Sequence, residues 1–339
     1  MTKAFIAGCE GLRLTGDERA FFAAERPWGL ILFARNVADP AQVADLVAEF
    51  RSVVGEPDAP VLIDQEGGRV QRLRPPHWPI YPPGRAYGRI FERDHAAGMR
   101  ATWLGARLIA HDLHRLGITV DCLPLLDVPA PEGHDIIGDR AYATDADTIC
   151  TLAGLAAEGL AAGGVLAIAK HIPGHGRAAA DSHLELPVVT APADDLRNID
   201  FAPFQRLADL PLAMTAHVVY TAFDADNPAT TSVAVIEDVI RREIGFQGCL
   251  MSDDLSMKAL KGGLGDRATA AFAAGCDLAL HCNGDLVEMR EVAANTPELA
   301  GRSGERAQAA LAVRREPESL DEAAAREEFA MLLSAAADA

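Results

Sequence analysis

The chain has 339 residues, of which 49% are hydrophobic and 24% are charged, and its formal net charge is −18. No apolar run is long enough to cross a bilayer, so the composition indicates a globular protein with no membrane partner. The acidic charge would repel phosphate backbones, which makes nucleic acid an unfavourable partner. The opening residues, MTKAFIAGCEGLRL, lack a basic leader with a long apolar core, and the six cysteines form no CxxC pair. We therefore expect a cytoplasmic protein with reduced, buried thiols.

Eight short apolar runs alternate with helix-like segments along the chain, as is typical of parallel strands joined by crossover helices. The alternation predicts a single (β/α)8 TIM-type barrel over residues 1–300. An alanine- and glutamate-rich stretch at 301–339 predicts a helical extension that packs on the barrel within the same domain. Two crossover helices should stop at Gly117 and Gly245, where left-handed residues are expected. The runs are FIAG near Phe5, GLILF at 29–33, PVLID at 60–64, ITVDCLPLLDV at 118–128, VLAIAKH at 165–171, LAMTAHV at 212–218, GCLMSDD at 248–254 and CDLALHC at 276–282.

Polar residues follow seven of the eight runs, always at the C-terminal end. In a barrel these ends converge on one mouth, where the loops after the strands build the active site. A single polar residue there is explained well enough as the end of a strand, but the gathering at seven ends favours a functional site. The residues are Arg35 with Asn36, Asp64, Asp127, Lys170 with His171, His217, Asp253 and Asn283.

Two loops after strands are longer than the rest. One is the proline-rich stretch RLRPPHWPIYPPGRAYGRIF at 72–91, and the other follows the fifth run. Long loops without secondary structure in a compact domain tend to be lids or binding elements. We therefore expect both to frame the substrate.

The loop KHIPGHGRAAADSH at 170–183 combines a lysine, three histidines and an aspartate. A metal site would suit the spacing of His171 and His175, but Pro173 and Gly174 forbid a regular helix between them, and no second ligand motif is present. A phosphate cradle is disfavoured because GHG lacks the third glycine of a dinucleotide fingerprint. We expect neither a metal nor another cofactor.

Proton transfer is the third possibility for this loop. Residues two apart in an extended segment point to the same side, so the Asp181 carboxylate can reach the His183 ring and stabilise its charged form. An Asx turn, in which Asp181 bonds local backbone, explains the same spacing. Spacing leaves these two interpretations about even.

A further pair of carboxylates ends the seventh run, in SDDLSM at 252–257. Strand alternation sends one of Asp253 and Asp254 toward the barrel mouth and the other away from it. One can therefore be a nucleophile while its neighbour holds the loop. Spacing does not choose between them, and both can also be ordinary capping residues.

The segment IDQEGGRVQRLR at 63–74 places Asp64 close to Arg69, Arg72 and Arg74. A carboxylate beside guanidinium groups suits recognition of sugar hydroxyls, amides or an anion. A structural network of ion pairs is the alternative.

Together these motifs resemble glycoside hydrolase family 3, in particular its bacterial single-domain β-N-acetylglucosaminidases. The resemblance implies that Asp253 is the nucleophile and His183 the general acid/base, with Asp181 completing a dyad. It also implies that five residues hold the sugar, namely Asp64, Arg72, Arg140, Lys170 and His171. The segments that carry it are GLILFARN, IDQEGGRVQRL, LPLLDV, GDRAY, KHIPGHG with DSH, MTAHVVY, PATTS, MSDDLSM and CDLALHCNGD.

The reaction implied by this resemblance is hydrolysis of a non-reducing terminal β-linked N-acetylglucosamine with retention of configuration. The implied substrate is a 1,6-anhydro-N-acetylmuramoyl muropeptide from peptidoglycan recycling, so the expected partner is a small carbohydrate, and a monomer is favoured. The alternatives are a phosphorylase, a broader β-hexosaminidase or β-glucosidase of the same family, and a sugar-binding barrel without catalytic activity.

Overall fold

The computed structural model describes residues 1–131, 133–182 and 184–334. Eight parallel strands close a barrel in which each strand pairs with the next along the chain and the eighth pairs with the first. The predicted (β/α)8 barrel is confirmed, and every strand lies within one of the eight apolar runs or overlaps it. The strands are β1 Lys3–Ala7, β2 Pro27–Leu32, β3 Val61–Ile63, β4 Val120–Asp121, β5 Leu166–Ile172, β6 Leu212–Thr215, β7 Cys249–Asp254 and β8 Leu278–His281.

Alternation along the strands divides the apolar residues between two layers. In β5, Leu166 and Ile168 belong to the cluster that fills the barrel interior, whereas Ala167 and Ala169 belong to the cluster shared with the surrounding helices. Because both faces of each strand are covered, the strands are continuous apolar runs rather than alternating ones.

Helices surround the barrel and cover the outer face of the sheet. Four of the helices have an aspartate at the N-cap, and its side chain accepts backbone N–H groups of the first turn. These caps are Asp39, Asp94, Asp145 and Asp285. Gly117 and Gly245 follow helix ends with positive φ, as predicted. The helices are α1 Gly16–Glu25, α2 Pro40–Val54, α3 Gly84–Arg93, α4 His95–His114, α5 Ala146–Ala162, α6 Ala193–Asp195, α7 Ala202–Arg206, a π-helix Ala234–Ile244, α8 Leu264–Ala274, α9 Leu286–Ala294, α10 Gly301–Ala312 and α11 Glu322–Ser334.

The loop after β3 is only partly irregular, so the expectation for 72–91 was wrong at its C-terminal end. Residues from Gly84 onward form α3, because the chain beyond Pro83 has helical spacing and no further proline. The same loop begins with an antiparallel ribbon of Gln65–Gly67 and Val70–Gln71. Gly67 turns this ribbon at a φ of 100°, and a Cβ there would lie 2.3 Å from the Pro82 carbonyl oxygen.

The two C-terminal helices lie against the barrel at different places. Ala307 and Ala310 of α10 belong to the same buried cluster as the barrel interior. Phe329 of α11 packs against the rings of Tyr81 and Tyr87, at centroid distances of 6.2 and 6.3 Å. The domain boundary at residue 300 stays a prediction, and the last five residues of the predicted extension lie outside the described residues. The part of the chain that the structure describes contains no helix long and apolar enough to cross a membrane.

Candidate active site

A cavity of about 380 Å³ opens at the C-terminal ends of the strands. Its floor is apolar, because Ile31, Met214 and Leu280 belong to the cluster inside the barrel. Its walls are charged and include six of the residues predicted for the site. The lining residues are Ile31, Phe33, Asp64, Arg69, Val70, Arg72, Ile136, Arg140, Lys170, His171, Met214, Asp253, Asp254, Met257, Leu280 and Cys282.

A larger cavity, of about 510 Å³, lies on the side of the barrel between the β3 loop, α4 and α11. It contains none of the predicted site residues. Size alone would favour this cavity as the functional site. The titratable groups that can take part in a reaction lie instead around the cavity at the strand ends.

Lys170 lies at the centre of a chain of ion pairs along one wall of the site. Its ammonium is 3.1 Å from Asp64 Oδ1 and 2.6 Å from Glu66 Oε1, and its side chain is only 2% exposed. Arg72 donates to the other oxygen of Asp64 at 2.9 Å. Arg140 donates to both oxygens of Glu66, at 2.9 and 2.8 Å. Positive and negative charges therefore alternate along this wall, in the order Arg72, Asp64, Lys170, Glu66 and Arg140.

The alternation keeps each buried member of this chain ionised. Burial opposes ionisation of Asp64, but the Lys170 and Arg72 cations beside it hold the pKa of Asp64 below its usual range. Burial likewise opposes ionisation of Glu66, whose pKa is held low by Arg140 and Lys170. Burial disfavours charged Lys170, yet Glu66 and Asp64 raise its pKa above the usual value. The wall thus presents fixed donors and acceptors at neutral pH.

His171 is oriented by Asp127, a buried carboxylate at the end of the fourth run. Asp127 Oδ2 lies 2.8 Å from His171 Nδ1, and its other oxygen accepts the backbone N–H groups of His171 and His175, at 3.1 and 2.7 Å. Burial opposes ionisation of Asp127, but the two histidines lower its pKa to about 2. Because the ionised carboxylate only accepts, His171 Nδ1 carries hydrogen and Nε2 is the remaining ring nitrogen. The Lys170–His171 peptide bond is cis.

The two aspartates at the end of β7 differ in their surroundings. The Asp254 carboxylate accepts the backbone N–H of Ser256 at 3.0 Å, the Ser256 hydroxyl at 2.6 Å and the backbone N–H of Cys282 at 3.2 Å. Its oxygens are thus engaged in joining the loops after β7 and β8. Asp253 Oδ1 accepts the backbone N–H of Asp254 at 2.8 Å, and Asp253 lines the same cavity as Lys170.

The structure describes the loop that carries the predicted dyad, except for His183. Asp181 is followed by a turn in which its carbonyl oxygen accepts the N–H groups of Leu184 and Glu185 at 2.9 and 3.0 Å. His183 lies outside the described residues, so its pairing with Asp181 stays a prediction. Asp181 itself is not among the residues that line the cavity.

His175, for which the sequence indicates no role, is buried beside this loop. Its Nε2 lies 3.2 Å from the hydroxyl of Ser182, the residue between Asp181 and His183. Burial, together with the neighbouring His171, lowers the pKa of His175 to about 4, so its ring is neutral at pH 7. His175 therefore contacts the middle of the DSH segment rather than the cavity.

Sequence reasoning missed Glu66 and the orienting role of Asp127. Glu66 lies in the ribbon, two residues after Asp64. In an extended segment this spacing predicts that both carboxylates point to the same side. The sequence marks Asp127 only as a polar residue at a strand end, since its contact with His171 depends on the pairing of two neighbouring strands. Over residues 1–131, 133–182 and 184–334 no three His, Cys, Asp or Glu side chains are grouped as a metal ion would require.

Comparison with known proteins agrees with this geometry. Residues 13–312 match the glycosyl hydrolase family 3 N-terminal domain. The chain is 37% identical over 277 residues to a beta-hexosaminidase of Nitrosomonas eutropha, covering 80% of this chain and 78% of that protein. It is 36% identical over 315 residues to a beta-hexosaminidase of Aromatoleum aromaticum, covering 92% and 87%. The crystal structure of NagZ from Neisseria gonorrhoeae in complex with N-trifluoroacetyl-D-glucosamine superposes with a TM-score of 0.83 at 31% identity, covering 98% of each chain. The chain belongs to glycoside hydrolase family 3.

Proposed function

We propose that the chain is a retaining exo-β-N-acetylglucosaminidase. The observation that carries the proposal is the composition of one cavity, where the alternating chain centred on Lys170 forms one wall and the Asp253 carboxylate also lines the space. Curated relatives are called beta-hexosaminidases, and the similar NagZ structure holds a derivative of glucosamine. Both support an amino sugar as the substrate unit.

The wall suits a sugar because it offers closely spaced donors and acceptors. Hydroxyl groups both donate and accept, so they can bridge the carboxylate of Asp64 and the cations Arg72 and Lys170. His171, with Nδ1 held by Asp127, presents Nε2 for a further hydrogen bond. The apolar floor closes the cavity toward the barrel interior. A closed inner end favours removal of a terminal residue over cleavage within a chain.

The chemistry is a double displacement. Asp253 forms a bond to the anomeric carbon while the glycosidic bond breaks. The electron pair of the glycosidic bond leaves with the departing oxygen, and this oxygen takes a proton from His183. In the second step His183 takes a proton from water, the water oxygen bonds to the anomeric carbon, and the Asp253 carboxylate is released. Asp181 stabilises the charged form of His183, which is present before the first step and again after the second. The hydrogen bonds of Asp254 support its assignment to loop structure rather than to attack.

The natural substrate that we propose is a 1,6-anhydro-N-acetylmuramoyl muropeptide released during peptidoglycan recycling in the cytoplasm. Arg69 supports this part of the proposal, because it lines the cavity and its side chain is 42% exposed. A cation at the rim suits a leaving group that carries carboxylates.

A panel of aryl β-glycosides tests the proposal. The N-acetylglucosaminide should be cleaved with a kcat/KM at least roughly tenfold above those of the glucoside and the N-acetylgalactosaminide, equivalent to about 1.4 kcal/mol of differential transition-state binding. In phosphate buffer the product should be free sugar. Preference for the glucoside, or release of the sugar 1-phosphate, would contradict the assignment. Mass analysis of digested anhydro-muropeptides then tests the natural substrate separately.

A further inference from the structure

Two sequence motifs that the proposed reaction does not use contact each other next to the C-terminal end of β7. The segment MTAHVVY at 214–220 supplies Thr215 and His217, and PATTS at 228–232 supplies Thr230. The Thr215 and Thr230 hydroxyl oxygens lie 2.7 Å apart, and Thr230 Oγ1 lies 2.7 Å from His217 Nδ1. All three side chains are fully buried, and none of them lines the cavity.

One end of this hydrogen-bond chain reaches the backbone of the proposed nucleophile, and the other end reaches the backbone of the next residue. The N–H of Asp253 donates to Thr215 Oγ1 at 3.3 Å. His217 Nε2 lies 3.0 Å from the carbonyl oxygen of Asp254. The chain therefore leaves the backbone at Asp253 and returns to it at Asp254.

The proton positions in this chain follow from the groups at its two ends. The Asp254 carbonyl only accepts, so His217 Nε2 carries the hydrogen, and burial lowers the pKa of His217 and keeps the ring neutral. Nδ1 of His217 must then accept from Thr230. Thr230 has no second proton, so it accepts from Thr215, which in turn accepts from Asp253. The Ala216 carbonyl oxygen, at 3.2 Å from Thr230 Oγ1, is the longer alternative acceptor.

The regular backbone pairing of β7 with its neighbouring strands ends or shifts after Met251, so side chains supply hydrogen bonds to this part of the sheet. Pairing of β7 with β6 ends at Met251, and pairing of β7 with β8 shifts its register between Met251 and Asp254. An irregularity of this kind re-aims the side chains that follow it. The hydroxyl of Ser252 accepts the N–H of Leu280 at 2.9 Å on the β8 side. The Thr215 hydroxyl has the corresponding role on the β6 side.

We propose that Thr230, acting through Thr215 and His217, is a positioning residue that fixes the backbone at 253–254 and thereby the direction of the Asp253 carboxylate. The inference rests on the proposed function, because it takes Asp253 as the nucleophile. Thr230 contributes no atom to the reaction. Its hydroxyl joins the two halves of the hydrogen-bond chain, since it donates to His217 and accepts from Thr215.

Thr230→Val tests the inference, because valine keeps the shape of threonine and removes only the hydroxyl. We expect kcat on aryl N-acetylglucosaminides to fall roughly 10- to 100-fold per folded molecule, the scale that a small misplacement of a reacting group produces. Binding of N-acetylglucosamine as a product inhibitor should change by less than about threefold, which corresponds to a free-energy change well below that of a lost sugar contact. Thr230→Ser retains the hydroxyl and should restore most of kcat.

Thr231→Val is the matched control, because Thr231 lies on the same turn and is partly exposed, with its hydroxyl 3.4 Å from the Pro228 carbonyl oxygen. It should leave kcat unchanged. A purely structural role for Thr230 would lower the melting temperature while leaving kcat per folded molecule at the wild-type value, and that result would overturn the inference. If Thr230→Val does not fold, Thr215→Val removes the acceptor for the Asp253 N–H, and an unchanged kcat there would have the same meaning.

Asp253→Ala, measured beside these variants, separates the two claims. If Asp253→Ala is inactive and Thr230→Val retains full kcat, the positioning inference fails and the proposed nucleophile stands. If Asp253→Ala retains activity, the proposed function fails first.

Discussion

Glu66 lies between two cations in the wall of the site, and its carboxylate has almost no contact with solvent. It accepts two hydrogen bonds from Arg140 and contacts the Lys170 ammonium at 2.6 Å. Removing one partner of a buried ion pair leaves the charge of the other partner uncompensated and destabilises the fold. Exposed ion pairs contribute little to stability. Glu66 therefore holds the two cations in place in the wall of the cavity.

Replacing Glu66 with glutamine should lower the free energy of unfolding by about 3 kcal/mol, because a buried carboxylate is lost between two cations. It should also raise KM for an aryl N-acetylglucosaminide, since Lys170 and Arg140 lose their common anchor. Denaturant unfolding and steady-state kinetics measure the two effects. Glu92→Gln is the control, because Glu92 pairs with Arg85 on the surface with its side chain 52% exposed, and its loss should cost less than about 1 kcal/mol.

The effect of Glu66→Gln on stability should depend on pH. The pKa of Glu66 in the folded protein lies below its usual value of 4.5, so its ionised form stabilises the fold above that pH. This stabilisation is lost as the pH falls through the lower, folded pKa. The wild-type protein and the variant should therefore differ most near pH 7 and converge in acid. Equal stability at pH 7 would show that Glu66 is not held as an ion pair.

Helix α11 supports the loop after β3, which contributes to one wall of the cavity. Phe329 of α11 packs on Tyr81, which lies at the C-terminal end of the irregular part of that loop. The Tyr81 hydroxyl donates to Asp112 of α4 at 2.7 Å, and Arg326 of α11 donates to the other oxygen of Asp112 at 2.6 Å. The carbonyl oxygen of Tyr81 accepts the N–H of Gly68 in the ribbon. Packing of α11 is thus connected to the ribbon through Tyr81.

Phe329→Ala should lower the free energy of unfolding by about 3 kcal/mol, the usual range for a large buried ring. Because Phe329 is remote from the cavity, kcat of the folded fraction should stay within about twofold, a change of about 0.4 kcal/mol in the barrier. Met331→Ala on the same helix is the control, since Met331 is 58% exposed and should change stability by less than about 0.5 kcal/mol. If both variants unfold at the same denaturant concentration, α11 does not stabilise the barrel through Phe329.

The elements also show what local sequence reasoning can and cannot supply. Each strand of the barrel is buried on both faces, so a continuous apolar run identifies it without knowledge of its neighbours. The sequence does not mark the start of α3 clearly, because prolines at 75–83 dominate the preceding loop, although Gly84 follows the last of them. The hydroxyl contact between Thr215 and Thr230 links two segments whose proximity depends on how the loop after β6 returns, and no local spacing predicts it.

Across the whole molecule, the two ends of the barrel differ in character. The C-terminal ends of the strands carry the cavity, its ion pairs and the two aspartates of β7. At the other end, Ala307 and Ala310 of α10 pack with the interior cluster, and the buried Asp277 before β8 pairs with Arg241 and with Arg306 of α10. This division is typical of the fold, in which the loops after the strands carry function and the rest provides stability. The strand-end residues Asp64, Lys170, His171 and Asp253 could be placed in one site from sequence because this geometry is general.

In the proposed reaction, Asp253 attacks the sugar in a retaining displacement at this end of the barrel. Trapping of the glycosyl-enzyme with a fluorinated N-acetylglucosaminyl donor whose second step is slow, followed by digestion and mass spectrometry, identifies the attacking residue. We expect one sugar per chain, attached to Asp253, and no adduct on the Asp253→Ala variant. A sugar attached to Asp254 or to another residue, or product of inverted configuration without any adduct, would contradict the proposed role of Asp253.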